Sequence, residues 1–240
     1  ETSAALRTAQ ERAVPAAVWH DDVTTLPEDA PLLIVANEFF DALPVYQLVR
    51  RGEAWHERLV ACQDTMFLPI AGKAVPEEIV PEALRDAAPG SIIESSPASV
   101  AVVRALAKRL ATQGGTALII DYGYEGPALG ETLQAVKGHG FVNPFEAPGE
   151  QDLTAHVDFA TLGGMAEMSG ATVFGPVAQG DFLGSLGLAE RARSLARAHP
   201  DRGEELAEAH RRLTHPTEMG SLFQAMALVG KDWPDPAALG

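Results

Sequence analysis

The sequence holds a single cysteine, Cys62. An internal disulfide and a cysteine-based metal site are therefore excluded, and a reducing compartment fits. Cations are scarce too: 18 Lys and Arg stand against 33 Asp and Glu, a formal net charge of −15 over 240 residues. That balance disfavours non-specific binding to nucleic acid or to an anionic membrane surface, and it suits a basic partner or plain solubility. No apolar run approaches ~18 residues, so no membrane span is expected. No signal peptide, internal repeat or long linker is visible. The chain is 46% apolar and 21% charged, enough to fill a substantial core, and its length suits one domain of ordinary size or one carrying an insertion.

The most informative stretch runs from Leu32 to Val49. Leu32, Leu33, Ile34, Val35 and Ala36 are continuously apolar, the pattern of a parallel strand covered on both faces. The run stops at Asn37, Glu38 and Asp41. In open α/β sheets, ligands bind outside the carboxyl ends of the strands, so Asn37 and Glu38 stand where a site belongs. Asn37 and Asp41 can equally do no more than cap the turn. Phe39, Phe40, Leu43 and Pro44 give the carboxylates a stiff apolar surround.

Upstream, a helix to about Arg12 is expected, with Thr2 or Ser3 as its N-cap, followed by a short strand over 16–20 that ends at Asp21 and Asp22. Those two acids either face a ligand or cap the next turn. Downstream, residues 45–49 and 55–60 read as a hairpin around Arg51-Gly52-Glu53, in which His56 and Glu57 fall on an exposed face. Residues 63–90, with four prolines, read as a surface connection with a short helix near 82–87. A short strand at 91–94 precedes a helix from Pro97, capped by Ser96 and running to about Gln113. Val100, Val103, Leu106, Ala107 and Leu110 form its apolar stripe. Residues 116–124 form a second buried strand ending in Asp121, and the helix-then-strand order predicts a doubly wound α/β sheet with helices on both faces. If the two strands are neighbours, Glu38 and Asp121 approach one crevice.

The segment 130–158 is rich in turns, His and acids, but its donors lack metal-ligand spacing, so no metal is expected. Gly138 and Gly140 flank His139 and make the backbone there permissive. Asp152 or Thr154 is expected to cap a helix over 159–169. A strand over 171–177, helices over 186–198 and 204–213, and a terminal strand or helix over 219–228 complete the pattern. A hydrolase built on Asp121 or His139 would lack a nucleophile motif such as Gly-x-Ser-x-Gly.

Asn-Glu-Phe-Phe-Asp-Ala-Leu-Pro at 37–44, with Gln47, Trp55-His56-Glu57-Arg58, Trp19-His20-Asp21 and the string from His139 to Phe159, resembles the MidA-like family of S-adenosylmethionine-dependent methyltransferases. The resemblance runs from Glu1-Thr2-Ser3 to Met219-Gly220-Ser221-Leu222-Phe223. It implies a Rossmann-like class I methyltransferase sheet, one domain over 1–240 with insertions at about 45–90 and 125–160. The family's glycine-rich loop has no counterpart, so the N-terminal portion of the domain is expected to lie upstream of Glu1. The implied cofactor is S-adenosylmethionine, with Glu1 as ribose ligand and Asp21, Asp22 and Asn37 on the cofactor side. The implied substrate is an arginine-bearing protein linked to respiratory complex I assembly, in the bacterial cytoplasm or in a mitochondrial matrix. Glu38 and Asp41 are candidates to hold the guanidinium, and His139 to accept a proton. A non-catalytic assembly chaperone or protein-binding module is the alternative.

Overall fold

A computed structural model of the chain describes residues 3–138 and 140–240. In chain order it forms α1 (Ala4–Ala13), β1 (Leu32–Asn37), β2 (Tyr46–Arg51), β3 (Ala54–Gln63), β4 (Met66–Ala74), β5 (Ile92–Ser95), α2 (Pro97–Gln113) and β6 (Gly115–Tyr124). There follow β7 (Gln134–Lys137), β8 (Gly140–Val142), β9 (Asp152–Thr154), β10 (Val157–Asp158), α3 (Phe159–Glu167) and β11 (Thr172–Ala178). The last elements are α4 (Gln179–Ser185), α5 (Leu188–Ala198), α6 (Gly203–Thr214) and β12 (Phe223–Val229).

The main sheet has the order β1-β6-β12-β11, with β10 paired to the end of β6. β1 and β6 are parallel, and the last strand, β12, inserts antiparallel between β6 and β11. α2 and α3 cover one face, where Val103, Ala107, Leu110, Ile119, Phe159 and Met226 are buried together. α4 covers the other, with Phe182 on Ala225 and Ala227. The α/β architecture with helices on both faces is thus the observed one. Each large aliphatic side chain buried in this way contributes about 1.5–3 kcal/mol.

α2 starts as the sequence predicts: Ser96 Oγ accepts the Ser99 N–H at 3.2 Å, and Pro97 occupies the first turn. Ser3 caps α1. α3 is capped by Asp158 and not by Asp152 or Thr154, because those two belong to β9 and the chain turns into the helix only after β10. Residues 16–20 form no strand. Trp19 instead lays its indole N–H on Gln10 of α1 at 2.9 Å, which holds the segment to that helix.

Two smaller sheets flank the main one. β4-β3-β2-β5 is antiparallel around buried Trp55, Val80 and Ile93. Its strand β4 falls where a plain connection is expected from the prolines. Pro69 is tolerated there because β4 is an edge strand, paired only to β3, and needs no donor on its free side. β8-β7-β9 forms a third sheet over 134–154.

β1 also departs from expectation. Leu32, Ile34 and Ala36 pack on the core, but Leu33 is 78% exposed and Val35 73%. Among the described residues β1 has one strand neighbour, β6, and its second face has no cover.

Candidate active site

β1 and β6 run parallel and end together, Asn37 opposite Ile120, so the turn after β1 sits above the end of β6. Asp121 holds that turn. Its Oδ2 accepts the backbone N–H groups of Phe39 (3.2 Å), Phe40 (3.0 Å) and Asp41 (3.3 Å), and its Oδ1 accepts from Tyr122 N (3.0 Å). Asp121 is fully buried. Burial, and then the charge of Asp41, push its pKa up to about 7, against the downward pull of the backbone donors. Glu38 and Asp121 therefore do not share a crevice: Asp121 lies beneath the turn and shapes it.

Asp41 is buried as well. Its Oδ2 accepts the Tyr122 hydroxyl at 2.5 Å, while its Oδ1 has no hydrogen-bond partner among the described residues. Burial, followed by this bond, raises the pKa of the Tyr122 phenol, so it acts as a donor at neutral pH. The Tyr122 ring meets His156 and Phe223 edge-on at 5.5 and 5.3 Å.

Glu38 is left exposed, at φ +48°. A non-glycine residue in this left-handed region carries strain of about 1–3 kcal/mol and persists where its surroundings enforce it. Here the three N–H bonds to Asp121, immediately after Glu38, do so. The result is a carboxylate projecting from a rigid, strained corner at the end of β1.

A cavity lies on each side of this corner. One, of about 260 Å³, is walled by Val23, Leu26 and Leu106 and bordered by Asn37, Glu38 and Phe39. The other, of about 320 Å³, is bordered by Phe40, Val45, Glu94, Tyr124, His156 and Asp158. The rings of Phe39 and Phe40, 5.2 Å apart and edge to face, stand between them.

Of the residues expected from sequence to form a site, Asn37, Glu38 and Asp41 are brought together on the turn. Asp22 caps the short helix Val23–Thr25 by accepting Thr24 N (2.7 Å) and Thr24 Oγ1 (2.6 Å), bonds that lower its pKa. Asp21 pairs with Arg7 at 2.7 Å and is largely exposed. Val23, next to both acids, lines the cavity that Asn37 and Glu38 border. Glu1 and His139 lie outside the described residues. Of the residues of the second cavity, His156 and Asp158 lie in the string from His139 to Phe159 but take no site role from it, and Glu94 and Tyr124 carry no motif of their own. The signal that could have exposed them is Gly123. A Cβ there would collide with Val157 O, so this glycine lets β10 close on β6 and brings Asp158 beside Tyr124.

The sequence model of a family described as "Putative S-adenosyl-L-methionine-dependent methyltransferase" matches residues 1–177. The chain belongs to that family. Among its relatives is a Caenorhabditis elegans protein named protein arginine methyltransferase NDUFAF7 homolog, mitochondrial, 34% identical over 219 residues that make up 89% of this chain and 50% of that one. The chain spans about half the length of the curated relatives it matches. Two crystal structures of one superfamily from Burkholderia thailandensis are each 28% identical to it. The first has a TM-score of 0.82 and covers 97% of this chain and 64% of that one. The second, bound to S-adenosyl-homocysteine, has a TM-score of 0.78 and covers 93% and 60%.

S-adenosylmethionine is the group this family implies, and the first cavity fits part of it. An amide and a carboxylate stand exposed at a strand end, and the walls are apolar enough for a heteroaromatic ring. No helix among the described residues is long and apolar enough to cross a membrane, and no group of three or more His, Cys, Asp or Glu among them could hold a metal ion.

Proposed function

We propose that the protein is an S-adenosylmethionine-dependent methyltransferase acting on an arginine side chain of a protein, a subunit or assembly partner of respiratory complex I. The observation that carries this reading is the strained corner at Glu38, which stands between a cavity suited to the cofactor and a second one. Two reactants on either side of one carboxylate is what a group transfer needs, since alignment supplies much of the rate.

The cofactor, when bound, supplies an electrophilic methyl group. Asn37 borders the cavity we assign to it, and Asp21, Asp22 and Glu1 are the further residues we assign to the cofactor. Glu38 accepts charge-assisted bonds from the guanidinium, draws positive charge toward two of its nitrogens and leaves the third freer to attack. Asp41 acts from beneath, its buried carboxylate adding negative potential to the turn. The proton that leaves the attacked nitrogen goes to His139, whose imidazole can act as a general base. We read 1–240 as one methyltransferase domain lacking its N-terminal portion, in which the sheets over 46–95 and 134–154 are insertions. The compartment is the bacterial cytoplasm or, in a eukaryote, the mitochondrial matrix, as the names of the eukaryotic relatives suggest.

Transfer of labelled methyl from S-adenosylmethionine to protein, with and without Glu38→Gln, tests the reading. Loss of transfer with cofactor binding retained supports it. A protein that binds no cofactor by calorimetry would instead be a non-catalytic binding module.

A further inference from the structure

The cavity beyond Phe40 has a lining of a particular kind. Phe40, Val45, Val100 and Leu162 give it apolar walls. Glu94 and Asp158 supply two carboxylates, and neither Lys nor Arg lines it. Glu94 is 8% exposed, and each of its donors is neutral: Gln47 Nε2 at 2.6 Å, Thr132 N and Leu133 N at 3.1 Å, and the Thr132 hydroxyl. A buried carboxylate without a contacting cation is costly unless a cation arrives. Asp158 accepts from Thr161 N at 3.0 Å and Thr161 Oγ1 at 2.6 Å, which leaves a lone pair free on each oxygen. His156 adds no competing charge, because burial lowers its pKa against the opposing pull of Glu94. Burial, then Asp158 and Glu94, push the Tyr124 phenol up to about 12, so both carboxylates act on one point inside the cavity.

We propose that this cavity receives the methyl-accepting side chain, and that Asp158 with Glu94 makes it selective for a cation carried on an apolar stem. The inference rests on the methyltransferase reading, which needs a second reactant beside the turn. At about 320 Å³ the cavity is at the small end of ligand sites, with room for one side chain. The apolar walls take the methylene stem. The carboxylates of the cavity share the charged head with Glu38, which stands on the corner that the border residue Phe40 follows.

Two variants separate this role from a structural one. Asp158→Asn keeps the cap of α3, since Asn caps as well as Asp, and removes one charge. Val100→Trp fills the cavity from α2. The probes are a short acetylated peptide with one central arginine and its lysine and citrulline counterparts, the last an uncharged isostere, titrated by calorimetry into the protein with S-adenosyl-homocysteine present. The arginine and lysine peptides are expected to bind at least about tenfold tighter than citrulline, as a lost charge-assisted bond implies. Asp158→Asn should erase most of that preference and raise KM with little change in kcat. Val100→Trp should abolish peptide binding while its affinity for S-adenosyl-homocysteine and its Tm stay normal. Equal binding of arginine and citrulline, or undiminished peptide binding by folded Val100→Trp, overturns the proposal. Selective peptide binding without methyl transfer to any protein would overturn the functional reading and leave the pocket assignment standing.

Discussion

β1 and β6 lie side by side, run parallel and carry nearly the same kind of residues, yet they live in different surroundings. β6 has neighbours on both edges and helices on both faces, and Ala117 and Ile119 are fully buried. Among the described residues β1 has one neighbour, and its alternate residues Leu33 and Val35 stand open. Their terminal acids diverge in the same way. Asp121 is sunk beneath the sheet end and gathers backbone donors, whereas Glu38 is thrust outward on a left-handed residue. Composition sets what a strand can bury, and neighbours decide what it does bury. The acid on the better-covered strand becomes scaffold, and the acid on the less-covered strand is free for chemistry.

Four experiments, with five substitutions between them, probe that contrast. Glu38→Gln should lower kcat by about 10²–10³, the usual loss when a preorganised electrostatic group is removed, with an unchanged melting temperature. A variant with wild-type turnover would take Glu38 out of the reaction. Next, Ile119→Ala on β6 should cost about 2–5 kcal/mol, while Val35→Ala on β1 should cost about 0.5 kcal/mol or less. Urea unfolding of the pair measures the difference directly, and equal losses would mean that β1 is covered in solution.

The third concerns pH. Burial raises the Asp121 carboxyl from 3.8 to about 7. The folded chain then holds a proton that the unfolded chain has released, so the stabilisation is fully present below the unfolded value and is lost as pH rises through about 7. Asp121→Asn removes this titration. The stability of wild type relative to the variant should therefore increase on acidification from pH 8 to 5, by up to ~1.4 kcal/mol per unit. A relative stability that falls on acidification would mean that the backbone donors outweigh burial. A modest effect on stability is expected from Glu38→Gly, which relieves the left-handed strain and should stabilise the fold by about 1 kcal/mol, with turnover lost as in Glu38→Gln. A lower urea midpoint for this variant would show that the corner is not strained.

Much of this was legible in the residues. The Ser96-Pro97 start of α2, the hairpin at Gly52 and the strand ending at Asn37 follow from capping, turn chemistry and an apolar run. β4 was hidden by Pro69, because a proline's meaning depends on whether its strand is an edge, and only pairing reveals that. The openness of β1 was invisible for the same reason, since an apolar run looks identical covered or bare. At the site, Asn37, Glu38 and Asp41 stood out by their string. Asp158 lay in the string up to Phe159 without a site role, and Glu94 in none; the two are 64 residues apart in sequence and line one cavity only when Gly123 lets β10 close on β6.

The bare side of β1 also governs how the molecule behaves in a tube. Among the described residues, one edge of β1, beside exposed Leu33 and Val35, has no partner strand; such an edge is a template for other strands, and in dilute buffer a charge of −15 keeps identical copies at arm's length. That protection reaches about 8 Å at physiological ionic strength and about 3 Å in molar salt. Salting such a preparation withdraws its colloidal guard at the very spot where the fold has none, so the purification most apt to keep it dispersed is one that never leaves low ionic strength.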